Sequence, residues 1–91
     1  MSTDRLPEHM RAAAELWVKR GAPHPETMGG FMRAVLLNDL TGAALNADHT
    51  NGRELKAWAA WLYDDCPQAA WGNERKLLEW HEAGGLEGPR R

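Results

Sequence analysis

The chain has little with which to cross-link itself, enter a membrane or hold a polyanion. Among its 91 residues there is one cysteine, Cys66. An internal disulfide is therefore excluded, and a reducing compartment is the expectation. Phenylalanine and tyrosine occur once each. No apolar run approaches the ~20 residues that a membrane-spanning helix needs. Met1-Ser2-Thr3-Asp4-Arg5 opens onto no long apolar stretch, so no signal peptide is expected and the location read from the sequence is cytoplasmic. Neither sign of charge is concentrated: 13 acidic and 11 basic residues are scattered along the chain and leave a formal net charge of −2. That excludes a basic arm for nucleic acid and an acidic mimic of DNA. No segment alternates apolar and polar residues with period two, so no strand is expected, and there is no internal repeat.

Tryptophan, by contrast, is plentiful. Trp17, Trp58, Trp61, Trp71 and Trp80 make five in a short chain. A small domain buries a modest fraction of its surface and needs large side chains in its core. Each aromatic side chain can bury ~150–250 Å², so core packing is the first use for them. A binding interface is the second, because tryptophan is enriched at hot spots.

Helical punctuation divides the chain. Pro7 suits a first helical turn, Met10, Ala13, Ala14 and Trp17 fall at helical spacing, and Gly21 ends a helix over residues 7–20. Ala22-Pro23-His24-Pro25 is an extended link. Phe31, Met32, Val35 and Leu36 form one apolar face, whereas Leu40, Ala43, Ala44 and Ala47 form another about 100° away if the helix continues. One straight helix cannot turn both faces to a small core, so a kink or break is expected near Asn38-Asp39, with Asp39 capping a helix that starts at Leu40. Asp48 to Gly52 reads as a turn. Asn51 and Glu54 resemble a capping box for a helix over residues 52–65, whose stripe is Leu55, Trp58, Ala59, Leu62 and Cys66. Pro67 ends it. Asn73 caps a helix over residues 74–83, and Gly84-Gly85 closes that one. The expected architecture is all-α: a compact orthogonal bundle of four to five short helices in a single domain over residues 1–85, with residues 86–91 as a disordered tail.

A set of short patterns from Gly21 to Trp80 goes together: Gly21-x-Pro23, Gly30-Phe31-x-x-Ala34-Val35-Leu36-x-Asn38-Asp39-Leu40, Ala47-Asp48-x-x-Asn51, Leu62-Tyr63, and Trp71-Gly72 followed by Glu74 and Trp80. In these the chain resembles a family of small phage and prophage proteins that carry no assigned activity. The likeness covers about two thirds of the chain. It departs at Asp64, where the family favours Asn, and at Asn73, where a serine cap is commoner. It implies a phage or prophage accessory product in the bacterial cytoplasm and carries over no catalytic residue.

Motifs with chemical potential mostly dissolve. A calcium loop with Gly52 at its sixth position puts Ala47 and His49 where oxygen ligands belong. His9, His24, His49 and His81 include no i,i+4 pair, so no metal or cofactor site is expected. Cys66 lies on an apolar stripe, which favours a buried, inert thiol. Asp64 and Asp65 are adjacent and diverge on a helix, which rules out a paired-carboxylate mechanism. Asn38 and Asp39 sit beside the Phe31 face, as polar groups satisfying the backbone at the kink or, less favoured, as part of a ligand cleft. Trp61 lies about 110° from the centre of its helix's apolar stripe, with Ala57 and Ala60 nearby. It packs into the core or, on the sharper reading, builds a partner-binding face with Ala57, Ala60 and Asp64. The expectation is a protein-binding module without catalytic activity. A homodimer is one form of it, and a helix-turn-helix nucleic-acid binder using Arg53 and Lys56 is the disfavoured alternative.

Overall fold

In the computed structural model, residues 3–88 are described. Pro7, at φ −53, leads into α1 (Glu8–Arg20), with Glu8 in its first turn and Lys19 and Arg20 in its last, as the helix dipole favours. Ala14, Trp17 and Val18 form its buried face. Gly21 stops the helix at φ 64 and returns its N–H to the Trp17 carbonyl. Glycine is required there twice over, because a Cβ would also meet the Trp80 carbonyl oxygen at 2.6 Å.

The conflict between two apolar faces is resolved by a break. α2 (Gly30–Leu36) buries Phe31, Met32, Ala34, Val35 and Leu36, and α3 (Leu40–Asn46) restarts in a new direction. Asn38 takes the left-handed conformation at φ 62, which asparagine tolerates better than most residues. The Asp39 side chain then accepts the Gly42 N–H at 3.0 Å and caps α3. α3 packs chiefly against α2 and buries only Ala43, leaving Leu40 and Leu45 exposed.

The turn expected at Asp48 to Gly52 is itself helical. α4 (His49–Arg53) is capped by Asp48, whose carboxylate accepts the Asn51 N–H at 2.7 Å. That carboxylate takes the orphan N–H three residues earlier than the expected capping box. Asn51 is instead 3% exposed, and its Oδ1 accepts the Trp58 indole N–H at 3.2 Å. Glu54, at φ −103 and ψ 21, separates α4 from α5 (Leu55–Asp64), so the helix expected from residue 52 begins later. The buried face of α5 is Trp58, Trp61 and Leu62, whereas Ala59 is exposed. The expected stripe holds at Leu55, Trp58, Leu62 and Cys66 but takes in Trp61 in place of Ala59, because burying an indole outweighs burying a methyl group. At ~25 cal/mol per Å², a buried indole brings about 4–6 kcal/mol of transfer free energy. Trp58 meets both Phe31 and Trp61 edge to face, with centroids 5.2 and 5.8 Å apart.

After Pro67 a 3-10 turn (Gln68–Ala70) brings the Ala70 carbonyl to the Trp17 indole N–H at 2.9 Å. α6 (Glu74–Ala83) is capped by Asn73 and closed by Gly84 at φ 79, as the sequence indicates. Leu77 and Trp80 face the core. Beyond α6, the Leu86 and Glu87 N–H groups donate to the Val18 and Lys19 carbonyls at 3.0 and 2.8 Å, so residues 86 and 87 of the expected tail lie against the end of α1. Its last three residues, 89–91, fall outside the described residues. The described residues thus form an all-α bundle of six short helices and one 3-10 turn without a strand, one helix more than expected because α4 is helical. The radius of gyration, 12.1 Å, matches the ~12 Å of a compact chain this long. No helix among these residues is long and apolar enough to cross a membrane.

Candidate functional site

α1 and the start of α2 border an open groove of about 470 Å³, within the range of ligand-binding clefts. One wall comes from α1, where Met10, Ala13 and Trp17 succeed one another at helical spacing. The opposite side is the link from Ala22 to Gly29 and the first turn of α2, ending at Phe31 and Met32; Asn46, Asp48 and Asn51 complete the rim. Three of the four methionines, Met10, Met28 and Met32, converge on this groove. Methionine is flexible and polarizable and suits surfaces that must re-pack around a partner.

Two adjacent glycines shape the groove differently. A Cβ on Gly30 would come within 2.9 Å of Asn46 Oδ1, so its bareness lets the end of α3 approach α2. A Cβ on Gly29 would meet nothing within 4 Å, so this position faces open space.

Polar groups at the rim are oriented. The Asn46 amide donates to the Gly42 carbonyl at 2.8 Å. Asp48 accepts the Asn51 N–H through Oδ1, and its Oδ2 lies 3.0 Å from His9 Nε2. The Asn51 N–H bond, helped by His9, holds the Asp48 carboxyl below its ordinary range against a smaller desolvation effect. Among the groove's lining residues, Asp48 alone carries a formal charge.

Of the two readings of Trp61, the structure has the core one, and Ala57, Ala60, Trp61 and Asp64 do not share an exposed face. Trp61 is 0% exposed and belongs to the core, Ala57 and Ala60 are half-buried, and Asp64 is exposed and paired with Arg5 at 3.1 Å. Arg5 also reaches Asp65 at 3.4 Å. Exposed apolar bulk lies instead at Leu40, Leu45 and Tyr63.

Asn38 and Asp39 are both exposed, so neither is the buried polar group considered from the sequence. They border a small hollow of about 90 Å³ with Val35, Leu40, Trp58 and Leu62, in which no histidine takes part. Cys66 is buried, and desolvation pushes its thiol up to about 12. His81 Nδ1 lies 2.7 Å from the Gly21 carbonyl oxygen, where it must donate. Its ring meets His24 edge to face at 4.9 Å. Among the described residues, no three histidine, cysteine or acidic side chains are gathered to hold a metal ion.

The groove was missed from the sequence because Met10 and Trp17 read as ordinary core positions. The available signal was Met28-Gly29-Gly30 followed by Met32, in which flexible apolar side chains flank two bare positions. Comparisons of the chain with protein-family models, curated proteins and solved structures find no match.

Proposed function

We propose that the chain is a small protein-binding module without catalytic activity of its own, an accessory product of a phage or prophage acting in the bacterial cytoplasm. It takes up an apolar helical segment of its partner in the methionine-lined groove. The observation that carries this reading is the gathering of the half-buried Met10 and Met28 along one open cleft whose floor is the buried Met32, Trp17 and Phe31. Helix-in-groove recognition uses such a lining for apolar anchors spaced i, i+3 or i+4, and i+7. The groups that chemistry would recruit already have structural work. Asp39 caps α3, His81 ties α6 to the end of α1, and the raised Cys66 thiol stays neutral. The phage assignment rests on the sequence patterns between Gly21 and Trp80.

The test is selection from a displayed library of random peptides, run in parallel on the wild-type chain and on Gly29→Trp. Gly29 lines the groove and a Cβ there meets nothing within 4 Å, so the indole of Gly29→Trp is placed to obstruct the groove with no clash at its Cβ. The wild type retains peptides sharing apolar residues at helical spacing, and the variant loses them. Retention of no such family, or equal retention by both proteins, contradicts the proposal.

A further inference from the structure

Resting on that reading of the groove, we infer that the partner segment carries a lysine or arginine beside its apolar anchors, and that this cation takes the place of His9 against Asp48. The argument is one of charge complementarity. Every other residue lining the groove is formally neutral, so the single carboxylate sets the charge that a complementary segment presents. That carboxylate is fixed in position, since Oδ1 is bound to the Asn51 N–H at 2.7 Å as the cap of α4. Its second oxygen, Oδ2, is turned to His9 at 3.0 Å.

The His9–Asp48 contact is suited to exchange. The two side chains are 49% and 55% exposed, and ion pairs that open to water contribute little. Lysine and arginine carry a full positive charge near neutrality. Arginine adds a planar fork that can span a carboxylate. Asp48 therefore supplies orientation and selectivity at the rim, while the half-buried Met10 and Met28, backed by the buried Met32, Trp17 and Phe31, supply the apolar contact. An acidic residue at the same point of the partner would face a like charge and be rejected.

The experiment repeats the peptide selection on wild type, Asp48→Asn and His9→Gln, followed by anisotropy titration of one fluorescein-labelled selected peptide made with Lys, Glu or norleucine at the flanking position. Asparagine caps helices as well as aspartate does, so Asp48→Asn removes the charge and keeps the acceptor for Asn51. On the wild type, Lys or Arg is enriched at one position, and the Lys peptide binds about threefold to tenfold more tightly than the Glu peptide, as expected for a partly exposed pair. Asp48→Asn abolishes the preference, and His9→Gln preserves or increases it. The measurement that needs no variant is salt: the Lys preference of the wild type shrinks between 0.05 and 0.5 M NaCl, about a threefold shortening of the screening length. Apolar peptides selected without a basic residue, or a basic preference untouched in Asp48→Asn, overturn this inference and leave the groove reading standing. If the wild type selects no apolar peptide, both fall.

Discussion

The indole N–H of Trp80 donates to the backbone carbonyl of Trp17 at 2.8 Å, across 63 residues of sequence. The same carbonyl accepts the Gly21 N–H at 2.8 Å, so the last turn of α1 is fastened by its own cap and by α6. Trp17 in turn donates its indole N–H to Ala70. Two tryptophans thus join the first helix to the last third of the chain, and the wall of the groove is built on that joint.

Trp80→Phe keeps an aromatic ring and deletes the donor. The loss expected is about 0.5–1.5 kcal/mol of unfolding free energy, the usual net contribution of one hydrogen bond, because the Trp17 carbonyl keeps the Gly21 N–H. Urea denaturation followed by circular dichroism measures it. An unchanged midpoint would show that the contact contributes nothing.

Gly21→Ala forces a Cβ onto a residue at φ 64 and into the Trp80 carbonyl. Both the left-handed penalty and the clash act on the same joint, so the melting temperature should fall further than with Gly29→Ala, where the added atom meets open space. Equal melting temperatures for the two alanine variants would contradict the described geometry.

Trp61→Ala is expected to cost about 3–5 kcal/mol, the range for deleting a buried aromatic. Trp61 is wholly enclosed, and for a domain this small such a loss is a large part of the total stability. A variant that melted like the wild type would restore Trp61 to a binding surface.

Cys66 gives a pH dependence with a definite sign. Burial pushes its thiol from 9.0 up to about 12. A group with a raised folded-state pKa favours the folded protein while protonated, so its contribution is complete below pH 9 and is lost as pH rises from 9 towards 12. Chemical denaturation across that window should show falling stability, and Cys66→Ala should flatten the decline. The native thiol should also resist iodoacetamide at pH 8 until the chain unfolds. Rapid labelling of the folded protein would contradict this.

Much of the fold was legible because local signals acted alone. Gly21, Asp39, Asn73 and Gly84 end or start helices as their chemistry indicates, and the two incompatible apolar faces of residues 31–47 correctly demanded a break. Legibility failed where tertiary contacts chose between local alternatives. Asn51 was a plausible cap, but Asp48 took that role and Asn51 was drawn inward to satisfy the Trp58 indole. On α5, a count of apolar residues placed Ala59 inward and Trp61 to one side. The packing of Trp58 against Phe31 and Trp61 widened the buried face to take in Trp61 and left Ala59 outside. The groove escaped notice for a related reason. Its methionines come from two separate stretches of chain, Met10 on α1 and Met28 with Met32 around the start of α2, and only the fold brings them to one groove.

Methyl NMR on the chain carrying 13C-methyl methionine probes the groove directly, because its four labels divide into Met10, Met28 and Met32 along the groove and Met1 outside the described residues. On addition of a peptide selected by the wild type, the Met10, Met28 and Met32 methyl signals should move together and saturate at one affinity, with Gly29→Trp showing no such titration. Binding that leaves those three methyl signals in place, or that persists unchanged in Gly29→Trp, would contradict the assignment of this groove as the docking site.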